Sequence, residues 1–152
     1  MPHNGVMKEE ISSILEDIPP GIFIDSTYGY GSHFETIINH NQLTPIGFDR
    51  DLDAVNNSDR SHDVFHLNFS KIRDYVEENS LTPISGVLYD LGVSSHQIDT
   101  PSRGFSFSAD ANLDMRMNQN DKLTAEKVLN TFSFEDLYSI FKEFANINEV
   151  KG

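Results

Sequence analysis

Residues 22–33 read Ile-Phe-Ile-Asp-Ser-Thr-Tyr-Gly-Tyr-Gly-Ser-His, a short apolar run that ends at Asp25 and opens into a glycine-containing loop. After the loop, Phe34, Ile37 and Ile38 recur at helical spacing. Because the apolar run is too short for a helix, this stretch predicts a strand, a loop and a helix in succession. Glycine lets the backbone turn sharply and approach a ligand closely, so the loop is a candidate binding element.

The same cycle recurs along the first three quarters of the chain. Apolar runs at 45–49, 64–67 and 84–89 alternate with amphipathic stretches, one of which runs from about Ser70, its predicted cap, to Glu78. Strands that alternate with helices are typical of a parallel sheet with helices on both faces. The pattern therefore predicts an α/β fold.

The pattern changes near Asp121. From Asp90 to Asp121 the chain is rich in glycine and serine, which predicts an irregular segment. Beyond it, 124–129 and 134–144 have helical periodicity, with Ser133 as the cap of the second helix, and no strand pattern follows. We therefore place a boundary between residues 121 and 122.

Composition limits the classes of function. The 152 residues suffice for one domain, and the charge of -13, from 24 acidic and 11 basic residues, excludes loose, charge-driven binding to nucleic acid or an anionic membrane. An RNA partner would need a local basic patch; Arg103 and Arg116 are candidates for phosphate contacts, with plain surface positions as the alternative. The absence of cysteine excludes thiolate catalysis and disulfides. With no signal-like or membrane-spanning stretch, we expect a cytoplasmic protein.

Acidic residues close three of the predicted strands. Asp25, Asp49 and Asp90 would share one edge, because the carboxyl ends of parallel strands meet there and ligands bind at that edge. Asp49 lies 18 residues after Gly31, where an acid can accept hydrogen bonds from both hydroxyls of a ribose. The glycine loop and Asp49 together predict a nucleoside-containing ligand. The alternative for each acid is a helix cap.

Other ligands fit the motifs less well. Gly29 and Gly31 match the first two glycines of the dinucleotide-binding pattern, but Phe34 occupies the place of the third. This mismatch weakens the interpretation of the chain as an NAD-dependent oxidoreductase. The acidic run from Asp49 fails the EF-hand pattern, since Ala54 and Arg60 replace the required Gly and Glu. The six histidines lack zinc-site spacing. We therefore predict no metal.

Six motifs together are diagnostic. They are Asp-Ser-Thr-Tyr-Gly-Tyr-Gly-Ser-His at 25–33, Phe-Asp-Arg-Asp at 48–51, Asn-Phe-Ser at 68–70, Tyr-Asp-Leu-Gly-Val-Ser-Ser-His-Gln-Ile-Asp at 89–99, Arg-Gly-Phe-Ser-Phe at 103–107 and Leu-Asp-Met-Arg-Met at 113–117. The chain resembles the 16S ribosomal RNA cytosine-N4 methyltransferase family in these motifs, nearly throughout its length to about Leu129. The last three motifs are the most specific.

This resemblance implies an S-adenosylmethionine-dependent enzyme that methylates the exocyclic amine of a cytosine in the small ribosomal subunit, with 16S rRNA as its partner. It implies a Rossmann-like cofactor domain at 1–121, incomplete relative to the family, and the beginning of a helical insertion at 122–152. The cofactor residues carried over by matching positions are Gly31, Ser32 and His33 around the methionine end, Asp49 at the ribose, Phe69 beside the adenine, and Asp90 and Gln97. No catalytic residue is assigned; Asp90, Asp114 and water are the candidate proton acceptors.

Two departures from the family carry expectations. Ser32 replaces a glycine, so we expect its side chain to lie against the cofactor loop and to lower affinity. Family chains are longer, and the strand that ends at Asp90 would be an exposed apolar edge, which predicts pairing with a second copy, as a homodimer, or with a partner segment. The alternative function is a non-catalytic protein that binds S-adenosylmethionine or another molecule.

Overall fold

The structure, a computed structural model, describes residues 5–145 and divides into two compact units, one up to Ser94 and one from Ser95 onward. The elements of the first unit are, in chain order, α1 (Lys8–Glu16), β1 (Gly21–Asp25), α2 (Ser32–Ile38), β2 (Leu43–Asp49), α3 (Leu52–Asn56), β3 (Val64–His66), a 3₁₀ turn (Phe69–Lys71), α4 (Ile72–Glu78) and β4 (Ile84–Leu88).

The four strands form one sheet in the order β3-β2-β1-β4, and every neighbouring pair is parallel. This confirms the predicted α/β fold with a parallel, Rossmann-like sheet. The central strand β1 has β2 on one side and β4 on the other, and Asp25 pairs with Gly47 and Leu88. The carboxyl ends of β2 and β4 therefore flank the loop that leaves β1.

Two apolar clusters cover the sheet, one on each face, as the alternation of side chains along β1 requires. Phe23 packs with Leu15, Ile37 and Leu43, next to α1 and α2. Ile24 belongs to the other cluster, which contains Phe48 and Ile72 together with residues of α4. Full burial of such side chains stabilises the fold by about 1.5 to 3 kcal/mol each. Helices on both faces are thus confirmed.

One predicted helix cap is wrong. Ser70 does not cap α4; instead, Asn68 accepts a hydrogen bond from the Ser70 N–H and starts the 3₁₀ turn. The helix α4 follows this turn directly, and its N-cap residue Lys71 provides no side-chain hydrogen bond. The prediction failed because Asn68 and Ser70 are both good capping residues, and the backbone uses the earlier one.

The second unit contains α5 (Ser95–Asp99), a 3₁₀ turn (Pro101–Arg103), α6 (Ala125–Thr131) and α7 (Phe134–Phe144). The helix α5 lies in a segment that we expected to be irregular. Ser133 accepts a hydrogen bond from the Asp136 N–H, which confirms it as the cap of α7. The boundary between residues 121 and 122 stays a prediction, and 146–152 lies outside the described residues.

Two arginines organise the irregular part of the second unit. The Arg103 side chain is 1% exposed, and its Nη2 donates to the carbonyl oxygens of Arg116, at 3.0 Å, and Met117, at 2.9 Å. Arg116 donates from Nε and Nη2 to both carboxylate oxygens of Asp114, and from Nη1 to the carbonyls of Gln119 and Asp121. Arg103 is therefore not a surface residue, and both guanidinium groups stabilise the local backbone.

The strand β4 is the outer strand of the described sheet on its side, as predicted. Together with residues of α1 and β1, this strand lines an apolar groove formed by Ile11, Ile14, Leu15, Ile18, Phe23, Gly86, Val87 and Leu88. Pairing with a second copy through this edge stays a prediction. Among residues 5–145, no helix has the length and apolar character needed to cross a membrane.

Candidate functional site

The candidate site is built on the loop that connects β1 to α2. Two glycines of this loop have left-handed backbone angles, with φ of 55° at Gly29 and 79° at Gly31. Side-chain-bearing residues rarely adopt such angles, so the loop needs glycine at these positions. At Gly31 a Cβ atom would also lie only 2.8 Å from the Tyr28 hydroxyl oxygen. These two positions therefore explain the predicted turn.

Asp49 connects the loop to the end of β2. Its Oδ2 accepts a hydrogen bond from the Gly29 N–H at 2.7 Å, and its Oδ1 accepts one from the Asp51 N–H at 2.8 Å. Asp51, not Asp49, is the N-cap of α3. Burial raises the pKa of Asp49, while the N–H groups of Asp51 and Gly29 oppose this shift. Asp49 therefore presents a partly buried carboxylate beside the glycine loop.

His33 and Asp90 connect the other side of the loop to the end of β4. His33 Nε2 lies 3.3 Å from Asp90 Oδ2, with the His33 side chain 6% exposed and that of Asp90 46% exposed. The Asp90 N–H donates to Thr27 Oγ1 at 2.8 Å. The loop therefore contacts the ends of both strands that flank β1, and Thr27, which the sequence analysis did not single out, contributes to this arrangement.

Asp25 is the most deeply placed of the three strand-end acids. Its side chain is fully buried; Oδ1 accepts a hydrogen bond from the Thr27 N–H at 3.1 Å, whereas Oδ2 has no partner among the described residues. Burial raises the pKa of Asp25 to about 7, the Thr27 N–H opposes this, and the negative charges of Asp49 and Asp90 raise it further. Since α2 is capped at Gly31, Asp25 is not a helix cap.

An aromatic pair borders the same edge of the sheet. Phe69 follows β3, Tyr89 follows β4, and their ring centroids lie 5.7 Å apart at an interplanar angle of 89°. The residues are 38% and 49% exposed, respectively. Exposed aromatic rings can stack on nucleobases of any sequence. The place of Phe69 beside the adenine stays a prediction; the structure shows that its ring and that of Tyr89 are both exposed at this edge.

The Ser32 side chain contacts a segment that the sequence analysis did not associate with it. Its Oγ accepts a hydrogen bond from the Gly5 N–H at 2.8 Å. A Cβ at Gly5 would lie 2.8 Å from both Ser32 Oγ and His33 Cε1, so the two backbone segments approach closely. The expected loss of cofactor affinity from Ser32 stays a prediction.

Six of the seven predicted cofactor residues belong to the first unit. Gln97 lies in α5 of the second unit and is buried, and its place in the site stays a prediction. The contacts described above join the glycine loop to Asp49 and Asp90, and Phe69 contacts Tyr89, the neighbour of Asp90. Within the described part of the chain, no group of three or more His, Asp or Glu side chains is arranged to hold a metal ion.

Comparison with known proteins places these motifs in a family. The model of the MraW methylase family matches residues 1–152. Three relatives are called ribosomal RNA small subunit methyltransferase H. The one from Karelsulcia muelleri is 36% identical over 99% of this chain and 52% of its own length. Those from Halothermothrix orenii and Wolinella succinogenes are each 41% identical, over 93% and 99% of this chain and 48% and 51% of their own lengths.

The chain spans about half the length of the curated relatives that it matches. The match nevertheless covers every motif described above, including the glycine loop, both strand-end acids beside it and the two arginine-containing motifs of the second unit. The chain therefore belongs to the MraW methylase family.

Proposed function

We propose that the chain takes part in S-adenosylmethionine-dependent methylation of small-subunit ribosomal RNA, at N4 of a cytosine in 16S rRNA. One observation carries the proposal: in a chain of a methylase family, the glycine loop contacts Asp49 through Gly29 and Asp90 through His33. This places a turn, two carboxylates and an imidazole at the carboxyl edge of a parallel sheet, where ligands bind. The relatives are named for the same substrate class.

The charges at this edge fit S-adenosylmethionine. The cofactor carries a sulfonium and an ammonium group, and the edge provides the carboxylates of Asp25, Asp49 and Asp90. The unpartnered Oδ2 of Asp25 is a buried acceptor that a cationic ligand or a bound water would satisfy. An anionic ligand would be repelled by this acidic edge of the sheet. The residues present therefore suit the cofactor, and they disfavour a phosphate-rich ligand such as NAD.

Each part of the cofactor has a residue to hold it. Asp49 retains free lone pairs for the ribose hydroxyls, and hydrogen bonds to a charged acceptor contribute about 1.5 to 3 kcal/mol each. The Phe69 ring offers a face to the adenine. Residues 31–33 surround the methionine end, and Asp90 and Gln97 complete the site, as the resemblance implies.

The chain's own contribution to the reaction is alignment and proton acceptance. When bound, S-adenosylmethionine supplies an activated methyl group. The N4 amine of cytosine is a weak nucleophile because the ring delocalises its lone pair, so rate depends on holding it in line with that methyl group and on a polar environment for the charge. The Arg116 guanidinium lowers the pKa of Asp114 and makes it a weaker base. Asp90 and water therefore remain as the candidate proton acceptors.

The charge of the chain points to the form of the substrate. A net charge of -13 repels free RNA, and Arg103 and Arg116 of the second unit donate hydrogen bonds to backbone carbonyls of other residues in that unit. We therefore expect the assembled small subunit, rather than naked 16S rRNA, to be the substrate. We also expect the reaction to take place in the cytoplasm.

Methyl transfer to purified small ribosomal subunits tests the proposal. We expect label from S-adenosylmethionine to enter 16S rRNA, and nucleoside analysis to identify N4-methylcytidine. The Asp49→Ala variant should abolish labelling, whereas Asp17→Ala, a change at an exposed aspartate after α1, should not. Incorporation into another nucleoside would refute the N4 assignment, and absence of any label would refute transfer.

The alternative function is a non-catalytic protein that binds S-adenosylmethionine. Calorimetry combined with the labelling assay distinguishes the two functions, because this alternative predicts cofactor binding without transfer. Tighter binding of NAD than of S-adenosylmethionine would instead revive an oxidoreductase.

A further inference from the structure

We propose that His62 is a positioning residue for the glycine loop: through the hydroxyl group of Tyr28 it holds the left-handed turn at Gly31. The proposal rests on the proposed function, in which residues 31–33 surround the methionine end of the cofactor. It assigns a role to a histidine outside the loop and outside every motif of the family resemblance.

Tyr28 is a residue of the glycine loop, and its neighbours on both sides hold it in place. The residue is 4% exposed; its N–H donates to the Phe48 carbonyl at 2.9 Å, and its own carbonyl accepts from the Gly31 N–H at 2.8 Å. The Tyr28 ring makes an edge contact with Phe34 in α2, with centroids 5.3 Å apart. Tyr28 is therefore fixed between β2 and α2.

The Tyr28 hydroxyl lies beside the α-carbon of Gly31. A Cβ atom at Gly31 would lie 2.8 Å from the hydroxyl oxygen and 3.1 Å from the ring carbon that bears it. The hydroxyl group thus fills the space beside the Gly31 α-carbon, on the side where other residues carry a side chain. Any displacement of this hydroxyl group changes the space available to the turn.

The Tyr28 hydroxyl forms a hydrogen bond with His62. Tyr28 Oη lies 3.0 Å from His62 Nδ1, and the imidazole also packs on Phe34, with centroids 4.6 Å apart. Burial, together with the charges of Asp59, Glu35 and Asp25, raises the pKa of Tyr28 against the effect of the Asp59 backbone N–H. The phenol therefore keeps its proton at neutral pH, and in the tautomer that carries the imidazole proton on Nε2 it donates to Nδ1.

Loss of the imidazole acceptor then has a defined consequence. The buried hydroxyl would keep the Asp59 N–H as a donor but would lose the acceptor for its own proton. A buried O–H group without an acceptor is unfavourable, so the hydroxyl would shift toward another acceptor. Because it borders Gly31, the shift would loosen the turn. We expect the methionine end of the cofactor, rather than its adenosine part, to lose affinity.

Two variants and a matched control test the proposal. Tyr28→Phe removes the hydroxyl, and His62→Phe removes the acceptor while it keeps a ring against Phe34. His40→Phe is the control, because His40 Nε2 also faces a hydroxyl, that of Ser12 at 3.1 Å, but lies after the far end of α2. The readouts are amide hydrogen exchange at Gly31 and Ser32, and calorimetric affinities for S-adenosylmethionine and adenosine.

We expect both test variants to speed amide hydrogen exchange at Gly31. The affinity for S-adenosylmethionine should fall about fivefold, the effect of one hydrogen bond, whereas the affinity for adenosine should stay within about twofold of the parent value. The double variant should be no worse than either single variant, since the two groups act as one unit. His62→Gln, which restores an acceptor, should recover part of the affinity.

Wild-type exchange at Gly31 in His62→Phe would overturn the proposal, as would equal losses for both ligands, the sign of general destabilisation. If Tyr28→Phe fails to fold, the comparison of His62→Phe with His62→Gln still decides. If the wild-type chain does not bind S-adenosylmethionine, the proposed function fails, whereas the exchange measurements still test the role of His62.

Discussion

His33 and Asp90 are 57 positions apart in the chain, yet His33 Nε2 and Asp90 Oδ2 lie 3.3 Å apart. This contact joins the loop after β1 to the residue that follows β4, and it buries the imidazole while the carboxylate stays half exposed. The pair thus combines a fixed position with an accessible charge. An accessible carboxylate held in place is what a cationic cofactor requires.

The first prediction concerns this carboxylate. Asp90→Asn keeps the shape of the side chain but removes its charge, and it should weaken S-adenosylmethionine binding about tenfold or more, the value of one charged hydrogen bond. Calorimetry measures the change. Asp74→Asn, at an exposed ion pair on α4, is the control and should bind as the parent does. An unaltered affinity in Asp90→Asn would remove Asp90 from the cofactor site.

The second prediction concerns the ribose acceptor. Asp49→Asn retains one acceptor oxygen for the two backbone N–H groups that Asp49 now serves, but it weakens the acceptor offered to ribose. We expect the affinity for S-adenosylmethionine and that for adenosine to fall together, each by about 10- to 100-fold. A variant that loses affinity for S-adenosylmethionine alone would show that Asp49 contacts the methionine end instead.

The third prediction is a pH dependence of stability. The folded-state pKa of Asp25 is about 7 and its unfolded value about 3.8, so the folded protein holds this proton more tightly. The stabilisation is therefore complete below pH 3.8 and is lost as the pH rises through 7. Between pH 6 and pH 8 the free energy of unfolding should fall by about 1 kcal/mol, and the melting temperature by a few degrees.

Thermal melting of the ligand-free protein across this range measures the effect. Asp25→Asn should be insensitive to pH over the same interval, because it has no proton to lose. Bound S-adenosylmethionine should favour the ionised carboxylate through its positive charges, so cofactor binding near pH 6 should release protons to the buffer. If the melting temperature depends on pH equally in the parent and in Asp25→Asn, another group is responsible for the effect.

The fourth prediction concerns the buried arginine of the second unit. Arg103→Met keeps the apolar length of the side chain but leaves the carbonyls of Arg116 and Met117 without their donor, at a cost of about 2 to 4 kcal/mol. Hydrogen exchange over residues 113–126 should rise sharply. Lys122→Met, at an exposed cation in the same unit, is the control. An unchanged exchange pattern in Arg103→Met would contradict a structural role for Arg103.

Much of the site could be predicted from the sequence because the signals are local. An apolar run that ends at Asp25 and meets a glycine loop has few other interpretations, and the carboxyl ends of parallel strands must meet at one edge. The positions of Asp49 and Asp90 follow from that rule. The specific motifs of 89–117 then separate the family from other nucleotide-binding proteins.

What could not be predicted depends on the summed effect of distant residues. The raised pKa of Asp25 arises from burial by the folded chain, which no local pattern encodes. The sequence predicts Arg103 as a phosphate contact or a surface residue because arginine is seldom fully buried, but the side chain is buried against the carbonyls of residues 116 and 117. The helix α5 has five residues, too few for a periodic signal. The hydrogen bond between Tyr28 and His62 likewise joins groups that no motif connects.

The hydrogen bond from Gly5 to Ser32 has a practical consequence for the design of recombinant proteins. Because this contact holds residue 5 on the glycine loop, groups added on the amino side of this residue would begin beside the proposed cofactor site. Histidine-rich tags would add imidazoles beside the carboxylates there. Binding assays on this protein should therefore use a tag at another position, or protein from which the tag has been removed.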